Sequence, residues 1–281
     1  GLKINMFTYK ELLKKGENEL LASDISDAAI DAWYLFEYVT DMSRASFFIR
    51  RNEEIPEEQA NAYIEVIEKR KKRIPLQHIT GKQEFMGLDF FVNENVLVPR
   101  QDTECLVENV ISYANDKKIL DMCTGSGCII ISVKKFVQTA ECTGADISEK
   151  ALETALKNAD LNNVPVSFIK SDMFENISEK YDIIVSNPPY IRPDVIKTLE
   201  PEVREHDPWL ALDGGEDGLS FYRILAKEGK KYLNSQGMIF MEIGYDQGQA
   251  VKEIFESEGF VDIVIKKDLC KNDRVVIGRI I

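Results

Sequence analysis

Histidine is nearly missing from this 281-residue chain: His78 and His206 are its only two. Its five cysteines (Cys105, Cys123, Cys128, Cys142 and Cys270) include no C-x-x-C pair. So few ligands at such spacing argue against a zinc site, and no metal is expected. An odd number of unpaired cysteines argues against a disulfide framework and for free thiols in a reducing cytoplasm. No apolar run reaches the ~20 residues of a membrane-spanning helix, so no membrane partner is expected. The opening Gly1-Leu2-Lys3-Ile4-Asn5 lacks the apolar core of a signal peptide, and Gly1 in place of Met reads as a trimmed start. Positive charge is short as well: 35 Lys and Arg against 48 Asp and Glu leave a formal charge of −13. That deficit argues against a broad phosphate-binding surface, so no direct nucleic-acid substrate is expected. One dense basic run, Lys69-Arg70-Lys71-Lys72-Arg73, falls where a helix should end, and cations there complement the macrodipole.

What is present is a globular composition, 44% hydrophobic and 30% charged, in a chain long enough for one large domain or two ordinary ones. Residues 1–80 read as a small helical domain for docking. Asp24 or Ser26 can cap a helix carrying Ala29, Trp33, Leu35 and Phe36. Pro56 opens another with Ala60, Tyr63, Ile64 and Ile67 on one face, and Pro75 stops it. Residues 81–103 read as a β-hairpin linker, its two apolar runs separated by Asn93-Glu94-Asn95. Asp102 or Thr103 should cap a helix from Cys105 to Ala114. From residue 104 to 281, seven strand patterns alternate with helical ones, which predicts a doubly wound, mostly parallel α/β sheet. The last two strands are joined only by 266–273, too short for a helical crossover, so they should pair antiparallel.

Chemistry gathers at the C-terminal ends of these strands, where open α/β sheets bind ligands. The first strand runs Ile119-Leu120-Asp121-Met122 into the turn Cys123-Thr124-Gly125-Ser126-Gly127. Gly125 and Gly127 lack a Cβ, so a ligand can approach their backbone closely. Asp146, with Ile147 after it, ends the second strand 19 positions beyond Gly127, the offset of a ribose-binding carboxylate. Asp172 and Met173 follow the third. The third glycine of G-x-G-x-x-G is replaced by Ile130, which disfavours a dinucleotide. Asp121 beside the turn would repel a diphosphate but suits the cationic sulfonium and ammonium of S-adenosylmethionine. Each residue alone has an ordinary explanation as a turn or helix cap; three consecutive strand ends together point to a ligand pocket.

The fourth strand, Asp182 to Ser186, stops at Asn187-Pro188-Pro189-Tyr190. Proline cannot donate to a ladder and holds the preceding residue extended, so Asn187 is presented in a stiff turn. The Asn187 side-chain oxygen and the Pro188 carbonyl can accept the two N–H groups of a planar amide or aromatic amine. That arrangement fixes the nitrogen in line with a methyl donor, and Tyr190 can stack on the planar group. Glu242, ending the fifth strand, points to the same sheet edge and is read as lining the substrate entrance, with a helix cap or a salt bridge as other uses.

Residues 119–127, Asp146, Ser171-Asp172 and Asn187-Pro188-Pro189-Tyr190-Ile191 resemble the motifs of amino-group methyltransferases. Further stretches narrow the likeness: Pro75-Leu76-Gln77-His78-Ile79-Thr80-Gly81, Glu84-Phe85-Met86-Gly87, Val98-Pro99-Arg100-Gln101-Asp102-Thr103-Glu104 and residues 272–279. With these, the chain resembles the protein-(glutamine-N5) methyltransferases of the PrmC/HemK family over nearly its whole length. The resemblance implies a seven-stranded Rossmann-like methyltransferase domain. Its cofactor would be S-adenosylmethionine, leaving S-adenosylhomocysteine, and its substrate the glutamine of the Gly-Gly-Gln motif of peptide chain release factors. It implies that Cys123 to Gly127 contact the methionine moiety, Asp146 the ribose, Asp172 with Met173 the adenine, and Asn187 to Tyr190 the glutamine. Three residues depart from the family pattern: Cys123 for glycine, Met173 for an aromatic, and Gln101 for proline.

Two other readings remain open on the residues alone. An Asn-Pro-Pro-Tyr turn also serves adenine N6 and guanine N2, against which stand the negative charge and the lack of a target-recognition insertion. A methyl-donor-binding module without turnover would not need Asn187 and Tyr190.

Overall fold

The computed structural model describes residues 6–281; the opening five, with the Gly1 start and the missing signal-peptide core, lie outside the described residues. The chain divides into two compact units, one of residues 1–81 with 201–206, the other of 82–200 with 207–281.

The first unit is helical: α1 (Tyr9–Ala22), α2 (Ala28–Thr40), α3 (Arg44–Arg50), α4 (Glu57–Lys71) and α5 (Leu76–Thr80). Leu12, Leu20, Leu35, Phe36, Tyr63 and Ile67 form its core. A Cβ at Gly16 would lie 2.2 Å from the Tyr63 hydroxyl, so α1 approaches α4 only through a glycine. The sequence suggested Asp24 or Ser26 as the cap of α2, but that position is Asp27, whose side chain makes no capping bond. Asp24 instead closes α1. It sits at φ +60°, its N–H donates to the Leu21 carbonyl, and the Ile25 N–H donates to Leu20. This is a Schellman motif with an aspartate in the glycine position. The basic run is largely spent inside the unit: Arg70 donates to Asp31 at 3.0 Å and to Glu202 at 3.2 Å, and Arg73 also pairs with Glu202. Glu202 therefore pins the 201–206 segment to these helices.

The second unit opens with a hairpin of β1 (Lys82–Phe85) and β2 (Leu88–Phe91). Its turn is Met86-Gly87, both at positive φ (+53° and +73°) as a two-residue primed turn requires. The expected turn at Asn93-Glu94-Asn95 is wrong. Asn93 Oδ1 accepts the Asn95 N–H at 2.9 Å in a local side-chain turn, and residues 96–98 form no strand. Then follow α6 (Glu104–Ile111), β3 (Lys118–Met122), α7 (Cys128–Phe136), β4 (Glu141–Asp146), α8 (Glu149–Leu161), β5 (Ser167–Lys170) and β6 (Tyr181–Ser186). After the short α9 (Pro193–Ile196) and α10 (Pro201–Arg204), the latter in the helical unit, come α11 (Ser220–Gly229), β7 (Leu233–Glu242), α12 (Gly248–Ser257), β8 (Val261–Lys267) and β9 (Asp273–Arg279). The helix expected at Cys105 begins at Glu104 behind a 3-10 turn at Gln101–Thr103. Of Asp102 and Thr103, Thr103 does hold the N-cap position, but it makes no side-chain capping bond: its backbone is already helical and its hydroxyl donates to Glu242.

Strand order is β5-β4-β3-β6-β7-β9-β8. The first five strands are parallel, and β9 is antiparallel to both neighbours, as the short 266–273 link demands. One apolar layer on each face covers the sheet. Order reverses between β3 and β6, so the chains leaving these adjacent strands open a crevice at their C-terminal ends.

Candidate active site

The turn after β3 is wound by positive φ at Cys123 (+65°), Gly125 (+56°) and Gly127 (+81°). Nothing lies within 4 Å of a Cβ built on Gly125, so its backbone faces open space. The Thr124 N–H donates to the Ala145 carbonyl at 2.9 Å, and its hydroxyl donates to Asp121 Oδ2 at 2.7 Å. Asp121 is fully buried, and its Oδ1 has no partner among the described residues. Burial, with Asp146 nearby, pushes its carboxyl up to about 7. Asp146 accepts the Gly125 N–H and the Ser148 N–H, each at 2.9 Å, and so fastens the glycine turn to the end of β4. Burial also raises this carboxyl. Capping of α8 falls to Ser148, which accepts from the Ala151 N–H at 3.1 Å.

After β5, the Ser171 hydroxyl donates to the Met173 carbonyl at 2.6 Å and accepts the Asn176 N–H. This local bonding holds Met173 at φ +49° with its Sδ 3.8 Å from Cys123 Sγ. Asp172 is exposed beside it. After β6, the Ser186 hydroxyl donates to the Met122 carbonyl at 2.6 Å and ties the two switch-point strands together. Asn187 follows, and among the described residues no hydrogen bond to its amide is found. Tyr190 is gripped from behind. Its carbonyl accepts the Gln247 side-chain N–H at 3.0 Å, and its hydroxyl donates to Glu242 Oε2 at 3.3 Å. A Cβ on Gly214 would stand 2.6 Å from Tyr190 Cα, and one on Gly218 2.7 Å from its carbonyl oxygen. Only glycines let the 213–219 loop lie against the turn.

These strand ends enclose a cavity of about 280 Å³. Cys123, Thr124, Gly125, Ser126, Asp146, Ile147, Asp172, Met173, Asn187 and Pro189 all line it. Five of the anticipated residues do not. Asp121 lies beneath the turn. Gly127 starts α7, where a Cβ would meet Ile131 and Ala155 at 2.8 and 3.3 Å, so its role is helix packing. Pro188 is buried, and Tyr190 stands behind the wall. Glu242, expected at an entrance, is 4% exposed; it caps no helix, accepting hydroxyls from Thr103 at 2.6 Å and from Tyr190. It does lie at the C-terminal edge of the sheet, where its strand runs between β6 and β9, but it is buried there and not at an entrance.

The facing wall was not foreseen. It is the strip of residues 94–100, misread as a hairpin strand, together with Leu210, Ala211 and Phe221. Arg100 donates to Asp207 Oδ2 at 2.7 Å and so links the strip to the loop bearing Leu210. Burial outweighs that guanidinium and pushes the Asp207 carboxyl up to about 6. An Arg100–Asp207 pair 107 positions apart leaves no local pattern; the apolar character of Val96-Leu97-Val98 was the available signal.

Among the described residues no cluster of three or more His, Cys, Asp or Glu could hold a metal, and no helix is long and apolar enough to cross a membrane. Two family models match, a PrmC N-terminal domain over residues 11–81 and a methyltransferase small domain over 100–200. Release factor glutamine methyltransferases align along most of the chain. The one from Clostridium acetobutylicum is 44% identical over 256 residues, 88% of this chain and 90% of that protein. The one from Agrobacterium fabrum is 41% identical over 269 residues, 92% and 93%. The one from Geobacter sulfurreducens is 36% identical over 280 residues, 99% of each. The crystal structure of a methyltransferase from Pyrococcus furiosus superposes with a TM-score of 0.55 at 19% identity, covering 69% of this chain and 90% of its own. At that identity it speaks for the fold alone.

Proposed function

The chain belongs to the release factor glutamine methyltransferase family, and we propose that it moves a methyl group from S-adenosylmethionine to the side-chain amide nitrogen of the glutamine in the Gly-Gly-Gln motif of peptide chain release factors. The observation that carries the amide reading is Asn187: a side-chain amide in a stiff Pro-Pro turn, at the cavity wall, with no intramolecular partner found among the described residues.

The cavity residues fit the methyl donor. Gly125 leaves its backbone open, Asp146 is locked beside it, and exposed Asp172 stands with buried Met173 at the next strand end. Asp146 would receive the ribose hydroxyls, Asp172 and Met173 the adenine, and the 123–126 turn the methionine part. Asp146 and Asp172 at the cavity wall, with Asp121 beneath the turn only partly ionised at neutral pH, supply the negative potential that a sulfonium and an ammonium require. The bound donor supplies an electrophilic methyl on a positive sulfur.

An amide nitrogen is a weak nucleophile because its lone pair is delocalised. Asn187 Oδ1 and the Pro188 carbonyl accept its two N–H bonds, orient the lone pair and keep water from competing for it. The N–CH₃ bond forms as the S–CH₃ bond breaks, leaving a thioether, and one amide proton departs to solvent. That proton becomes acidic only as the new bond forms, so no strong base is needed. The helical unit would serve to dock the release factor. A release-factor substrate also places the enzyme in the cytoplasm, with no nucleic acid as direct substrate.

Incubation with methyl-labelled donor and a purified release factor, its Gln-to-Ala form, or bulk DNA and RNA tests this reading. Label is expected only on the intact release factor. Label in nucleic acid alone refutes it. Asn187→Ala should abolish transfer with donor affinity kept; a near-normal rate removes the assigned role.

A further inference from the structure

We propose that Glu242 is the positioning residue of the reacting turn, a buried carboxylate that sets the Tyr190 ring from behind. The inference rests on the amide-methylation reading for its kinetic consequence, and on geometry for the rest.

Glu242 ends β7, the strand beside β6, so its side chain emerges next to the turn that β6 feeds. It is 4% exposed and has no place in the cavity wall. A buried carboxylate persists only when its oxygens are satisfied. Here each oxygen takes one hydroxyl: Oε1 accepts from Thr103 at 2.6 Å and Oε2 from Tyr190 at 3.3 Å. The residue's own carbonyl accepts the Tyr222 hydroxyl at 2.7 Å, which fixes the main chain that carries it. Arg274 supplies the balancing charge nearby; it is itself held by Asp268 at 3.1 Å and by the Ile243 carbonyl at 3.2 Å. One side chain thus joins the 3-10 turn that ends the cavity strip, through Thr103, to the ring that follows Asn187-Pro188-Pro189.

The demand is for two acceptors at one site. A carboxylate provides both. A glutamine provides one acceptor oxygen and one donor NH₂, so one of the two hydroxyls loses its acceptor. Tyr190 does not line the cavity; a ring in that place acts by backing the turn, and its angle decides where Asn187 and the Pro188 carbonyl point.

The test is a double-substitution cycle of Glu242→Gln and Tyr190→Phe on the full chain, with labelled-methyl turnover on purified release factor and donor binding by calorimetry. Each single change should lower kcat about 10-fold, in the range of one charge-assisted hydrogen bond. Donor affinity should stay within about 2-fold, and the double variant should be no worse than the poorer single variant. Multiplicative losses, unchanged kcat, or a loss confined to donor affinity overturn the proposal. Tyr190→Phe keeps the carboxylate and Thr103 in place, so it decides the matter by itself should Glu242→Gln fail to fold; a wild-type kcat for it refutes the proposal. A readout independent of turnover is the tyrosine ¹³Cζ resonance that disappears in Tyr190→Phe. It should shift in Glu242→Gln, and an unmoved resonance overturns the proposal. Should the unsubstituted enzyme fail to methylate any release factor, the functional reading falls while this resonance still judges the positioning.

Discussion

Cys123 occupies backbone that suits glycine, and the sign of a stability difference can reveal it. Its φ is +65°, inside the left-handed region. There a Cβ crowds the backbone at a cost of about 1–2 kcal/mol. Replacing Cys123 by Gly or by Ala removes the thiol and its 3.8 Å contact with Met173 in both cases, so that loss cancels in the comparison. Two terms remain. Glycine sheds the crowding, and it restores about 0.5–1 kcal/mol of freedom to the unfolded chain. Subtracting the second from the first leaves Cys123→Gly about 1 kcal/mol more stable than Cys123→Ala. At ordinary positions the order is the reverse. Urea unfolding at 25 °C measures it in a Trp33→Phe background, where Trp209, in the same unit as Cys123, is the sole remaining tryptophan. An alanine variant as stable as the glycine one, or more so, refutes the argument that the turn depends on left-handed backbone.

Asp207 links stability to pH. Its carboxyl lies at about 6 in the folded protein against an ordinary 3.8, so the folded state holds this proton more tightly and stability falls as pH rises from about 4 to about 6. A gap of about two on the pH scale corresponds to about 3 kcal/mol. Asp207→Asn should match the parent near pH 4 and exceed it by up to that amount at pH 8; a pH-independent difference in urea midpoints refutes this. Gly214→Ala would set a methyl 2.6 Å from Tyr190 Cα and 2.9 Å from the Pro189 carbonyl oxygen, both backbone that cannot swing aside. Displacing the turn by about 1 Å should cost about 100-fold in kcat with donor affinity kept, and near-wild-type turnover would show that the turn tolerates the shift.

The sheet was legible because its signals are local. Most strands from Lys118 to Arg279 announce themselves by an apolar run, β4 (Glu141-Cys142-Thr143-Gly144-Ala145-Asp146) being placed by the alternation of elements instead, and the short 266–273 link alone dictates an antiparallel pair. The cavity residues were legible for the same reason, since Gly125, Asp146, Asp172 and Asn187 sit at strand ends where topology collects them. The hairpin turn was missed because Met86-Gly87 interrupts an apolar stretch by only two residues, while Asn93-Glu94-Asn95 looks like stronger punctuation. Its Asn93 side chain in fact folds back on Asn95 and reaches Thr154, a use that only the packed neighbour α8 reveals. Helix caps failed similarly: the αL position after α1 went to Asp24, a residue equally suited to starting a helix.

What no local pattern could disclose is how the reacting turn is held still. The Asn-Pro-Pro-Tyr motif names the proposed amide clamp, yet every group that fixes Tyr190 comes from 24 to 57 positions later: Gly214 and Gly218 by lacking a side chain, Glu242 through its hydroxyl, Gln247 through its carbonyl. None of these carries the chemistry. A clamp that must accept two N–H bonds in one plane gains from rigidity more than from further functional groups, because an error in position is felt in the transition state and hardly at all in binding. The choice of glutamine over a nucleobase amine cannot lie in these four residues, since both present the same planar NH₂. It has to be exercised outside the turn, where the flanking chain of the substrate is received.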